Sequence, residues 1–266
     1  VDTKYRLTGP AVRLQRALLA SLAESDRTLI FGATEEAIPL LRRTGCKPVG
    51  TAERWVKILR SESQLSQRLR PTWLAKVAAP MVDVGLRLSS REMFTPRAAG
   101  ATVGFGYAFD SRFDRLWERV GSRFPIATQR TSEYLTWRFH GGEKSSFQTF
   151  WMADEQGELM GYVVFEVLAN STVEVADVMF DGTPALDRLL SEFLRQMRSP
   201  EYRPTAITLV CFGMDLLGER LQTFGFKRRP EKMQTLVYGD QATLDEADPD
   251  LFDTKRWYLS GADMDV

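Results

Sequence analysis

Histidine is nearly absent from this chain of 266 residues; His140 is the only one. A zinc site built on several histidines and a two-histidine H-E-x-x-H site are thereby excluded, because such sites coordinate through neutral imidazoles. A Ser-His-Asp triad would have to use His140, and no G-x-S-x-G elbow accompanies it. Cys46 and Cys211 are too few for a disulfide framework, so a reducing cytoplasm is the expected compartment. Net charge is missing as well: 35 basic against 35 acidic residues leave no field to attract a polyanion, and neither nucleic acid nor a membrane surface is expected as a partner. No uninterrupted apolar run reaches the ~18 residues of a membrane span. The opening Val1-Asp2-Thr3-Lys4-Tyr5-Arg6 lacks the apolar stretch of a signal peptide, and no G-x-x-x-x-G-K-[ST] phosphate loop occurs. Carboxylates, tyrosines, backbone amides and a cysteine remain to carry any chemistry.

The hydrophobic share of 44% and charged share of 26% are those of an ordinary globular protein. The length suits two small domains or one large one. Apolar spacing predicts a helix over Val12 to Leu22, a strand at Arg27 to Phe31, a helix over Glu35 to Arg43 ended by Gly45, and a strand at Arg54 to Leu59. Ser61 to Arg91, punctuated by Pro71 and Pro80, reads as a helical connector. A strand at Val103 to Tyr107 follows, then helices over Phe113 to Val120 and Thr131 to Phe139, the latter with Thr131 or Ser132 as N-cap. Phe147–Ala153, Leu159–Leu168 and Thr172–Met179 are separated by short turns and should form antiparallel strands. Helix Pro184–Met197, strand Ala206–Phe212, helix Asp215–Thr223 and strand Met233–Tyr238 complete the reading, with Lys227-Arg228-Arg229 a solvated turn. Leu29 to Cys46 matches Leu209 to Phe226 in the order strand, glycine, helix, Gly-containing turn, so an internal duplication is expected.

Several motifs carry a resemblance. Arg6-x-x-Gly9-x-Ala11, followed by an apolar helix, is similar to the acetyl-CoA loop of GNAT acyltransferases, and Leu41 to Gly45 resembles the helix end and turn that close the GNAT core. Arg130 to Phe139, Gly161 to Val164, Val175-Ala176-Asp177 and Trp257 to Asp263 resemble GNAT-like proteins of bacterial surface-polysaccharide gene sets, which carry two GNAT units. The resemblance implies an α/β (α+β) fold of two GNAT-like units, with mixed central sheets flanked by helices and the first unit truncated at its N-terminus. It divides the chain into 1–60, the C-terminal half of a first unit; 61–100, a helical connector; 101–240, a second unit; and 241–266, a tail packing on the core. Since a full unit needs strands before its loop, the chain is expected to be incomplete relative to its gene product.

The resemblance also implies acetyl-CoA or another acyl-CoA as co-substrate, bound by Arg6, Leu7, Thr8, Gly9 and Ala11, and no metal. A glycine-containing loop entering a helix offers free N–H groups at the positive end of the dipole, which suits a pyrophosphate. The second loop, Asp181-Gly182-Thr183-Pro184, places a carboxylate where that anion would sit, so the first loop is the expected site. Asp177 and Glu174 lie on the strand before the second loop, where the family often places its base. Strict alternation puts Glu174 and Ala176 on one face and Val173, Val175 and Asp177 on the other. Asp177 among apolar neighbours is the first choice for the base; the competing role is a structural carboxylate whose burial is offset by hydrogen bonds. Trp137 and Arg138 suit a sugar or an anion and are the candidate substrate-binding residues, against a core role for Trp137. The tyrosine acid of the family is replaced at both matching positions by Leu41 and Leu221, and Cys211 could accept an acyl group or be a buried structural thiol.

The resulting expectation is an N-acyltransferase moving an acyl group from acyl-CoA to an amine, such as an amino sugar or a cell-surface polysaccharide precursor. Its expected partner is that small-molecule amine or sugar, and a homodimer is admissible. Two other readings stand beside it: a catalytically degenerate GNAT-like protein that binds a ligand or partner, and an aminoacyltransferase of the peptidoglycan-bridge type.

Overall fold

The alternating segments between Phe147 and Phe180 build the centre of the molecule. In the computed structural model, which describes residues 9–23, 29–62, 65, 73–88, 90–96, 100–141, 145–239 and 249–263, the chain runs α1 (Pro10–Ala23), β1 (Leu29–Ala33), α2 (Ile38–Arg43), β2 (Lys47–Thr51), β3 (Glu53–Ile58) and α3 (Trp73–Leu88). It continues β4 (Thr102–Gly106), α4 (Ser111–Val120), α5 (Ser132–His140), β5 (Gln148–Ala153), β6 (Leu159–Val167), β7 (Thr172–Phe180) and α6 (Gly182–Met197). It ends β8 (Ala206–Gly213), α7 (Asp215–Thr223), β9 (Lys227–Arg229), β10 (Gln234–Tyr238) and β11 (Tyr258–Ser260).

The larger sheet has the order β4-β5-β6-β7-β8-β3-β9, with β11 added to β8. It is mixed: β7 and β8 are parallel, whereas every other neighbouring pair is antiparallel. Helices cover both faces. Phe113 of α4 meets Tyr162 with ring centroids 5.0 Å apart, and Phe193 of α6 meets Phe165 at 5.4 Å. Tyr162 and Phe165 are three residues apart on one strand and therefore face opposite sides. The buried core is continuous from Phe113 through β5, β6 and β7 to α6 and β8.

A smaller sheet has the order β1-β10-β2, antiparallel throughout. Its composition is not what chain order suggests. β3 follows β2 but leaves it to lie between β8 and β9, while β10 follows β9 and leaves it to lie between β1 and β2. The two strands cross where the Ala52 amide donates to the Met233 carbonyl (2.9 Å), and Arg54 closes the crossing with an ion pair to Glu231 at 2.7 Å. Each sheet thus depends on a strand drawn from beside the other. The matching runs Leu29–Cys46 and Leu209–Phe226 become β1-α2 and β8-α7, the same strand–helix sequence.

The structure departs from the sequence reading at four strands. Lys227–Arg229 is an edge strand and not a free turn, because its backbone pairs with β3 although its side chains remain exposed. β2 and β11 are strands that periodicity does not signal, being short and built on partners distant in sequence. The fourth is β7. Val164 pairs with Asp177 and Phe165 with Val175, leaving Ala176 as an extra residue in a β-bulge. The bulge reverses the alternation, so Asp177 shares the face of Val164, Glu166 and Glu174 and not that of Val175.

Candidate active site

The bulged face of β7 looks toward α5 and the C-terminal residues. Asp177, expected as the base, is fully buried there and accepts from four groups: Arg130 Nε (3.0 Å), the Tyr162 hydroxyl (3.0 Å), the Tyr258 hydroxyl (3.0 Å) and Ser260 Oγ (2.7 Å). Arg130 is equally buried and also grips Asp263 through Nη1 (3.0 Å) and Nη2 (2.5 Å). Burial works against the Arg130 charge, yet the two carboxylates hold its pKa well above the ordinary value. Burial, followed by Asp177, likewise raises Tyr162 and Tyr258 well above the ordinary phenol range. A carboxylate enclosed in this way has no path to an external ammonium. The expectation that Asp177 is the base therefore does not fit; the geometry makes it the anion of a buried ion pair, with its lone pairs already taken.

Glu174 has different surroundings. It lines a cavity of about 220 Å³ with Arg54, Arg138, Phe147, Glu166, Val175, Ala176, Val210, Met233 and Gly261. Glu166 is its register partner on β6 and accepts from Ser146 Oγ at 2.5 Å. The cations are engaged elsewhere: Arg54 holds Glu231, and Arg138 donates to the carbonyls of Ala262 (2.8 Å) and Gly261 (3.0 Å). Glu174 has no hydrogen bond or ion pair among the described residues, and two like charges face each other across the strands. A half-buried carboxylate facing a cavity without a partner can accept a proton from a bound amine.

Arg138 also borders a second cavity of about 390 Å³, with Thr128, Tyr134, Trp137, Gly141, Ala262 and Asp263. Trp137 is 69% exposed there, on the solvent side of α5 and outside the core. The structure thus brings Glu174, Arg138 and Trp137 around one stretch of backbone, residues 261–262. It does not bring Gly9 to them. Gly9 has φ +69° at the start of α1, with open space where a side chain would be; α1 contains Ala11, while Arg6, Leu7 and Thr8 lie outside the described residues.

A third cavity of about 470 Å³ lies where α6 and α7 begin, lined by Arg123, Phe124, Phe180, Gly182, Thr183, Met214, Lys255 and Trp257 among others. Asp181 was expected to repel an anion here. Its carboxylate is instead met by Arg119 (3.2 Å) and Arg123 (3.1 Å), which answer the charge. Leu41 and Leu221 are buried and offer no proton. Cys211 is a buried residue of β8, and burial pushes its thiol up to about 12, so it stays protonated and unreactive. Burial also lowers the pKa of His140, which packs against Phe109 with a buried Nε2 that has no partner among the described residues. Among the described residues no group of three or more His, Cys, Asp or Glu is placed to hold a metal ion, and no helix is long and apolar enough to cross a membrane.

No protein-family model matches the chain, and no curated protein matches it in sequence. Solved structures do. One is a conserved protein of unknown function from Enterococcus faecalis, described as a probable N-acyltransferase, with TM-score 0.56 and 13% identity over 88% of this chain and 51% of that one. Another is a GCN5-related N-acetyltransferase from Kribbella flavida, with TM-score 0.53 and 12% identity over 89% of this chain and 49% of that one. The likeness shows the fold: a mixed sheet flanked by helices, as in GCN5-related N-acetyltransferases. The chain spans about half the length of these two proteins.

Proposed function

We propose that the protein is an N-acyltransferase that moves an acyl group from acyl-CoA to an amine bound beside Glu174. The observation that carries this reading is the Glu174 carboxylate, without a partner among the described residues, in a cavity shared with Arg138, within a GNAT fold. Acyl-CoA supplies the acyl group as an activated thioester. Glu174 takes the proton from the acceptor ammonium, the freed amine forms the C–N bond as the C–S bond breaks, and the second proton of the nitrogen passes to the departing CoA thiolate, which leaves as the free thiol. Arg138 orients the acceptor's polar end, and Trp137 offers a flat face to a ring. An amino sugar or polysaccharide precursor is the acceptor class that the sequence resemblance favours. We read the fold as two units, 1–60 and 101–240, joined by 61–100 and covered by 241–266; the crossing of β3 and β10 supports this, since each supplies the strand the other sheet lacks. The donor loop is Arg6, Leu7, Thr8, Gly9 and Ala11, supported by the positive φ and open space at Gly9.

Thiol release from acetyl-CoA with a panel of amino sugars and alkylamines tests the activity. Glu174→Gln should lower turnover about 10²–10⁴-fold, and Gly9→Asp should weaken acetyl-CoA binding in calorimetry. Undiminished turnover in Glu174→Gln would remove the base, and unchanged affinity in Gly9→Asp would remove the loop. The second reading, a catalytically degenerate binding protein, is favoured by one observation: β11 occupies the gap between β7 and β8.

A further inference from the structure

Two parallel strands that separate leave a slot whose walls are unpaired backbone groups, which an extended chain can satisfy. β7 and β8 pair only from Thr172/Ala206 to Val175/Leu209 and then diverge. Beyond that point the edge of β8 pairs with β11, from Ser260↔Cys211 to Tyr258↔Gly213. The opposite wall is satisfied by the same segment. The Ala262 amide donates to the bulge carbonyl of Ala176 (3.0 Å), and the Tyr258 hydroxyl accepts from the Val178 amide (3.2 Å) and shares its one proton between the Val178 carbonyl oxygen (2.5 Å) and Asp177 (3.0 Å). The chain therefore fills its own slot from both sides.

The filling separates two of the cavities. The one at the starts of α6 and α7 touches Phe180 and Trp257, at one end of the segment; the one beside Glu174 touches Ala176 and Gly261, at the other. Between them Trp257, Tyr258, Leu259 and Ser260 are all buried. The ion pairs of Arg130 with Asp177 and Asp263 hold this segment from beneath, one carboxylate on β7 and the other just past β11. Withdrawing the segment would expose three large side chains and leave a buried arginine short of a partner.

We propose that residues 257–263 are a permanent internal strand that closes the β7/β8 slot to any extended ligand arm, with Arg130, Asp177 and Asp263 as its clasp. The cavity beside Glu174 is then reached from outside, past Arg138 and Trp137, and not through the slot. An acyl donor, which carries its thioester on a long amide-bearing arm, does not lie between β7 and β8.

Hydrogen exchange of the wild-type protein, with and without millimolar acetyl-CoA, tests this. The amides of 258–262 should be protected as strongly as those of β8 and should not change on adding the donor. Faster exchange of this segment in the presence of acetyl-CoA would overturn the proposal. A second measurement uses Ala176→Cys with Ala262→Cys, adjacent positions that a disulfide would tie together. Oxidation should alter acetyl-CoA affinity less than twofold; a loss of affinity reversed by reductant would show that the strand must leave. Absence of any donor binding, with the segment protected, would refute the acyltransferase reading while leaving the closed slot standing. Donor-induced opening would do the reverse.

Discussion

Replacing Asp177 by Asn separates a catalytic carboxylate from a structural one, because it keeps the shape and removes the charge. The wild-type carboxylate accepts from Arg130, Tyr162, Tyr258 and Ser260, all essentially excluded from solvent. An amide has one acceptor oxygen. If it faces Tyr258 and Ser260, its NH2 group faces Arg130 Nε, donor against donor at what was a 3.0 Å contact. Arg130 keeps Asp263, so its charge is not stranded, but half of its compensation is gone. Removing one partner of a buried pair costs about 3–5 kcal/mol, a large part of the roughly 5–15 kcal/mol that holds a typical domain together. At about 2–4 °C per kcal/mol for a chain of this size, the melting temperature should fall by roughly 6–20 °C. Thermal and urea unfolding monitored by circular dichroism measure this. A variant that melts within about 2 °C of wild type while losing turnover about 10²-fold or more would refute the reasoning and restore Asp177 as the base. A double-mutant cycle with Arg130→Met should show strong coupling, since the two side chains are in direct contact.

Three further outcomes follow from other contacts. Gly213 has φ +77°, and a Cβ there would stand 2.1 Å from the Trp257 carbonyl oxygen, so Gly213→Ala should lose about 2–5 kcal/mol in urea titration; a wild-type midpoint would contradict the seating of β11. Lys57 is buried beside Glu92, and burial lowers its pKa from 10.5 to about 8, so between these values the unfolded chain binds more protons and stability rises with pH. Relative to Lys57→Met, the wild type should gain up to about 3 kcal/mol across that window, and a pH-independent difference would refute the shift. Trp137 stands in solvent, so Trp137→Ala should leave stability within about 0.5 kcal/mol while raising the acceptor KM about two- to tenfold through lost ring contact; a large stability loss with unchanged KM would place it in the core after all.

Local signals determined much of the fold. Asp215–Thr223 emerges as α7 with the bounds that its apolar spacing gives, and the start of α5 falls at Thr131, whose hydroxyl accepts the Tyr134 amide at 3.2 Å. The three central strands and their antiparallel order are likewise legible, because each is an alternating or apolar run closed by a tight turn. Such features depend on neighbours within a few residues. Of the candidate site, Glu174, Arg138 and Trp137 are legible as chemistry-bearing side chains.

Their meeting is not legible, and neither is the division of labour between the two carboxylates. A single extra residue at Ala176 reverses a period of two, and nothing in Val173-Glu174-Val175-Ala176-Asp177 announces it, since a bulge is a relation between two strands. Tertiary structure alone decided that Asp177 would be sealed by Arg130, 47 residues earlier, and by Tyr258 and Ser260, 81 and 83 residues later. The exchange of β3 and β10 and the docking of β11 in the slot are of the same kind. A strand's own residues record that it will be extended and which face is apolar. The identity of its neighbour is set by which unpaired edge the packed helices leave within reach.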